Sequence, residues 1–167
     1  MTNQLSSDAK IIPLPTVDIG GSDAEAEDAT NWAPFHDISG FDRVTAIVKL
    51  GPTWNAADDL DGCKLEQATS AAGAGAKDLT TSGSGDDYDT AAPVDAVGDE
   101  VILEARADQF DVDNGFHFVR LFVSEAGDTG TDEVHGCLIL HGARYGHAER
   151  HRAAAAGSVV YVTPTVA

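Results

Sequence analysis

Basic residues are scarce in this chain. Ten Lys and Arg stand against 28 Asp and Glu, for a formal net charge of -18. A surface that negative repels phosphate, which argues against nucleic-acid binding by the body of the protein and for solubility in a salty or crowded setting. Cysteine is almost missing too. Cys63 and Cys137 are the two present; both lie in apolar, strand-like runs with no CxxC or Cys/His spacing around them, so buried free thiols are the expectation. No apolar run approaches the ~20 residues of a membrane span. The opening TNQLSSDAK lacks the charged-then-apolar order of a signal peptide, so synthesis in the cytoplasm and no membrane partner are expected.

The motifs of catalysis are missing as well. There is no GxSxG, GxxxxGK[ST] or GxGxxG, and none of the six histidines falls in HxH or HExxH. His135 and His141 share a face of one presumed strand but stand ~20 Å apart, too far to share a zinc. The run Asp111-Val-Asp-Asn-Gly115 invites a calcium reading, yet its third alternate position is already glycine, so a turn in which Asp and Asn side chains bond nearby backbone amides fits better. The same discount applies to the Asp-rich runs at 58–62 and 86–89, because clustered carboxylates are expected by chance on a chain this acidic. No catalytic residue, cofactor or metal is expected, and enzyme activity is the weaker class.

What the chain does have is alternation. Hydrophobic residues make up 43% of it, enough for one domain with a substantial core at this length. The stretch 99–125 organises the rest. Val101, Leu103 and Ala105 alternate with Ile102, Glu104 and Arg106, the pattern of a half-buried strand. Then Phe116, Phe118, Arg120 and Phe122 share one face while Val119, Leu121 and Val123 form the other, as in a central strand covered on both sides. Asn114-Gly115 between them can take positive φ, so the two runs read as a hairpin or a short corner.

Further strands follow from the same pattern. Residues 10–15 form a short edge strand, because Pro13 and Pro15 exclude it from a sheet interior. In 41–50, Val44, Ala46, Val48 and Leu50 oppose Arg43, Thr45, Ile47 and Lys49. Residues 63–70 make another strand, and in 133–141 Val134, Leu138 and Leu140 oppose His135, Cys137 and Ile139. Residues 71–77, AAGAGAK, carry two glycines at roughly 1 kcal/mol each against helix and read as a turn, while 80–89 reads as a flexible loop. Seven or eight short strands without a convincing amphipathic helix predict an all-β chain, a single antiparallel β-sandwich of jelly-roll type. An N-terminal arm and acidic loop (1–40) precede the sandwich core (41–145). A basic tail (146–167) follows, ending in a strand over 158–163.

Several blocks in this order carry a resemblance: KLEQATSAAGAGAKDL (64–79), VILEARADQFDVDNGF (101–116), Val119-Arg120, GCLIL (136–140) and ARY (143–145). DVDNGF and ARY are the most specific. Together they make the chain resemble a family of small structural proteins of tailed bacteriophages over roughly residues 44–145. The resemblance implies a virion protein, a capsid decoration (cement) protein or the base of a head fibre. Its partner would be the major capsid protein, and self-association, as a trimer for example, is compatible. Decoration works by burying surface across the joints between capsid subunits. From their character alone, the basic residues Arg144, Arg150, His151 and Arg152, with Tyr161, are candidate partner contacts. The alternative is a host-glycan-binding module on the virion surface, with Trp32, Trp54, Tyr88 and Tyr145 as stacking aromatics.

Overall fold

The computed structural model describes residues 9–20, 35–55, 60–81, 84–85, 94–125 and 131–143. Among the described residues, ten strands run in chain order: β1 (Ala9–Asp18), β2 (His36–Asp37), β3 (Arg43–Leu50), β4 (Leu60–Ala68), β5 (Lys77–Asp78), β6 (Thr80–Thr81), β7 (Ser84–Gly85), β8 (Glu100–Arg106), β9 (Phe118–Glu125) and β10 (Glu133–His141). Eight of them form two four-stranded sheets, β1-β10-β3-β8 at the front and β2-β9-β4-β5 at the back, and every pairing is antiparallel. No α-helix occurs among the described residues. The expected β-sandwich is therefore the fold.

The pairing is nested. β1 pairs with β10, β2 with β9, β3 with β8, and β4 with β5. A long hairpin whose two arms are rolled up together has this connectivity, which is the jelly-roll winding. Rolling places β10 against β3 and β9 against β4 and closes both sheets.

The core lies between the sheets and follows the alternation. Val44, Ala46, Val48 and Leu50 of β3, Val134, Leu138 and Leu140 of β10, and Val119, Leu121 and Val123 of β9 are all buried. Pro13 and Pro15 lie on β1, an edge strand longer than 10–15, with an irregularity in its register between Leu14 and Val17. β8 and β9 belong to different sheets, so their connection is a corner and not a hairpin. Two 3-10 turns build it, Ala107–Gln109 and Val112–Asn114, and Gly115 at φ 85° ends the second. Buried Phe110 packs into the core from between them.

Two loop readings change. Residues 80–89 read as a flexible loop, yet Thr80–Thr81 and Ser84–Gly85 pair as a minimal ribbon. The Asp111 turn also differs in its bonds: the carboxylate accepts from the Asn114 side-chain amide at 2.7 Å and from Lys77 Nζ at 2.6 Å, in place of backbone amides. Those two hydrogen bonds, Lys77 first, lower the Asp111 pKa.

Candidate interaction surfaces

The back sheet turns Phe118, Arg120 and Phe122 of β9 outward, beside Ala68, Glu66 and Lys64 of β4. Each cation here has both a ring and a carboxylate. Arg120 lies over the Phe35 ring at 4.8 Å, and its Nε donates to Glu66 Oε2 at 2.5 Å. Lys64 lies over Phe122 at 4.6 Å and pairs with Asp78 at 3.0 Å. Lys77 lies over Phe116 at 4.0 Å and pairs with Asp111 at 2.6 Å. The turn after β4 folds over the same rings: Phe35 N donates to the Ala71 carbonyl, and Gly73 and Gly75 approach the rings of Phe35 and Phe116. That turn is the one read from AAGAGAK, with both glycines at positive φ. The aromatic face is thus covered by the chain's own groups.

The front sheet is built differently. Register places Pro13, Cys137, Ile47 and Ile102 side by side across all four strands, and Ile11, Ile139, Thr45 and Glu104 in the next row. Alternate residues share a face, and the opposite face of these strands is the core, so this double row points outward. Ile102 is 55% exposed; Pro13 is exposed, and Ile11, Ile47, Cys137 and Ile139 are half-buried. Arg43 and Lys49, both exposed, stand at the two ends of this face on β3, and neither has an ion-pair partner among the described residues.

Polar groups on the front face are engaged in pairs. The Nε2 of His141 and the Thr45 hydroxyl are 3.0 Å apart, and that hydroxyl donates to Glu104 at 3.3 Å. The Thr16 hydroxyl and His135 Nδ1 are 2.8 Å apart. The His141–Thr45–Glu104 row is not an acyl-transfer triad in its bonding, because the carboxylate contacts the hydroxyl and does not orient the imidazole. His135 and His141 stay apart, each with its own threonine. No group of three His, Cys, Asp or Glu able to hold a metal occurs among the described residues.

At the edge where the sheets meet over β1 and β2, burial pushes the His36 pKa down to about 4, with the Lys10 charge as a second cause. Lys10 is itself lowered by burial, against the Asp37 charge. At the opposite end of the strands, fully buried Asp132 ties three segments together: its Oδ1 accepts from Asn55 N at 2.6 Å, its N donates to Asp18 Oδ1 at 3.0 Å, and its carbonyl accepts from Ile19 N at 2.9 Å.

The two cysteines differ. Cys63 is fully buried, with its thiol pushed up to about 12 by burial. Cys137 is free and only half-buried, on the front face, which corrects the expectation of two buried thiols. Trp54 is 4% exposed in the core and has no face to offer a sugar; Trp32, Tyr88 and Tyr145 lie outside the described residues. So do Arg144, Arg150, His151, Arg152 and Tyr161. The described chain leaves the front sheet at Ala143, just after Gly142, whose carbonyl accepts from Asp42 N at 3.1 Å beside Arg43. Alternation along each strand places Ile47, Ile102, Cys137 and Ile139 opposite their core-facing neighbours, and cross-strand register is what joins them into one surface.

Comparison with models of protein families, with curated proteins and with solved structures finds no match.

Proposed function

We propose that this is a bacteriophage virion protein, a capsid decoration protein that stabilises the head by bridging subunits of the major capsid protein. The observation that carries the reading is where the resemblance blocks fall. Residues 64–79 supply most of β4, the following turn and β5; 101–116 supply β8 and its corner; Val119-Arg120 lie in β9 and 136–140 in β10. The likeness therefore spans five of the eight sandwich strands and both sheets. A likeness confined to one loop would say far less. The jelly roll is compatible, since viral capsid domains use it, although lectin domains do too and a fold alone fixes no function.

A decoration protein needs surface to bury and a rigid body to hold it, and the sandwich with its outward apolar rows has both. The basic tail, residues 146–167, adds contacts whose electrostatics aid register more than affinity. The test is co-sedimentation of the purified chain with capsids lacking it, set against tail preparations. Saturable binding to capsids at a fixed ratio to the major capsid protein is the expected result, with binding lost when 146–167 are removed and the sandwich stays folded. Binding to neither particle would overturn the proposal.

A further inference from the structure

We infer that the outer face of the front sheet, β1-β10-β3-β8, is the surface that docks, and that its partner presents an apolar centre with carboxylates at its rim. This rests on the decoration reading only for the partner's location, on the capsid.

The argument is charge complementarity. On a chain with 28 acids and ten bases, a cation finds a carboxylate easily, and Lys64, Lys77 and Arg120 of the back sheet each have one. Arg106 on the front face pairs with Asp108. Arg43 and Lys49 pair with none among the described residues, although Glu100 is the direct cross-strand neighbour of Lys49. They lie six residues apart on one face of β3, which at strand rise is about 20 Å. Between them run two rows, Pro13, Cys137, Ile47 and Ile102 in one and Ile11, Ile139, Thr45 and Glu104 in the other, whose polar end is engaged by the Thr45–Glu104 hydrogen bond. A largely apolar surface bracketed by two cations with no ion-pair partner among the described residues fits a partner that covers the rows and brings its own carboxylates to the ends.

Size sets how the contact works. Four strands span about 15 Å and the cations about 20 Å, so the face offers on the order of 300 Å². A stable one-to-one interface needs ~800 Å² per partner. This face therefore acts as one contact of several, with the basic tail or through many copies on a lattice, where linked weak contacts gain avidity.

Cys137 is a built-in reporter. It stands in the centre of the rows, half-buried and open to solvent, while Cys63 is fully buried; burial raises both thiols, Cys63 to about 12, so reagent access and thiolate supply both favour labelling of Cys137. The experiment follows maleimide labelling of the full chain, free and bound to capsids, and binding by Ile102→Asp and Arg43→Glu/Lys49→Glu, with circular dichroism to show that each variant is folded. The expected result is at least tenfold slower Cys137 labelling on the capsid and at least tenfold weaker binding by both variants. Wild-type binding with unchanged labelling, or variants that bind as wild type, overturns the docking face and leaves the decoration reading standing. Failure of the wild type to bind capsids overturns that reading and the partner with it. Self-association on sedimentation, abolished by Ile102→Asp, would make a second copy the occupant and overturn the inference as stated.

Discussion

The two outer faces of one sandwich solve the same problem in opposite ways. Both turn large apolar groups away from the core. The back sheet covers Phe35, Phe116 and Phe122 with Arg120, Lys77 and Lys64 and holds each cation with a carboxylate. The front sheet leaves Ile102 55% exposed and gives Arg43 and Lys49 no ion-pair partner among the described residues. Among the described residues the chain satisfies its own surface at the back and leaves the front to the partner inferred above. The back face should then contribute to stability and the front face to binding, and substitutions separate the two.

The largest effect is expected at Arg120. Its side chain and that of Glu66 are 19% and 10% exposed, so Arg120→Met strands a nearly buried carboxylate and should cost about 3–5 kcal/mol in denaturant unfolding. The double variant Arg120→Met/Glu66→Leu should recover most of that loss, because apolar replacement of a buried pair is often neutral. The matching front-face change, Arg43→Met, should stay within about 0.5 kcal/mol. Equal losses at Arg120 and Arg43 would break the comparison.

Next comes the seam between the sheets. His36 is held neutral, with its pKa down to about 4 from 6.5, whereas the unfolded chain takes up the proton near 6.5. The unfolded state binds more protons between those values, so the contribution of His36 is intact above pH 6.5 and is lost as pH falls toward 4. At about 1.4 kcal/mol per pH unit between 6.5 and about 4, the loss is on the order of 3–3.5 kcal/mol. Carboxylates titrate in the same range, so the measurement is the difference between wild type and His36→Gln, whose unfolding free energy should fall less steeply with acid.

Legibility divides along the same line. Each strand was readable from its own alternation: Val44-Ala46-Val48-Leu50 and Val134-Leu138-Leu140 face the core as their spacing requires. The corner at Gly115 was readable as one of two options, and the partition of β8 and β9 between sheets settles it. The Lys77–Asp111 bond was not readable, because Lys77 arrives from β5, distant in sequence from the corner. Nor was the front face. Pro13, Ile47, Ile102 and Cys137 lie on four separate strands, and only cross-strand register, a non-local property, brings them into one row. The basic tail, by contrast, stands out in sequence because its local composition is visible within a single stretch; it lies outside the described residues.

A smaller effect is expected in the turn that covers the back-face rings. Gly73 sits at φ +79°, and a Cβ there would meet Phe35 Cε2 at 2.9 Å. Gly73→Ala combines a left-handed backbone with that close approach and should cost about 1–2 kcal/mol. Gly115→Ala has the same handicap of φ but nothing within 4 Å of its Cβ, so it should lose less. A loss at Gly115 as large as at Gly73 would mean that the backbone, and not the cover over Phe35, sets the cost.

The smallest effect on stability should come from a residue of the inferred docking face. Ile102 loses little water on folding at 55% exposure, and its cross-strand neighbour Ile47 is only half-buried. Ile102→Asp should therefore shift the unfolding free energy by no more than about 0.5 kcal/mol. The same carboxylate, pressed against an apolar partner, would have to shed its hydration with no cation beside it, a cost that falls on the complex alone. If Ile102→Asp instead unfolded the protein, the front rows would be part of the sandwich's own packing, and the contrast between the two faces would disappear.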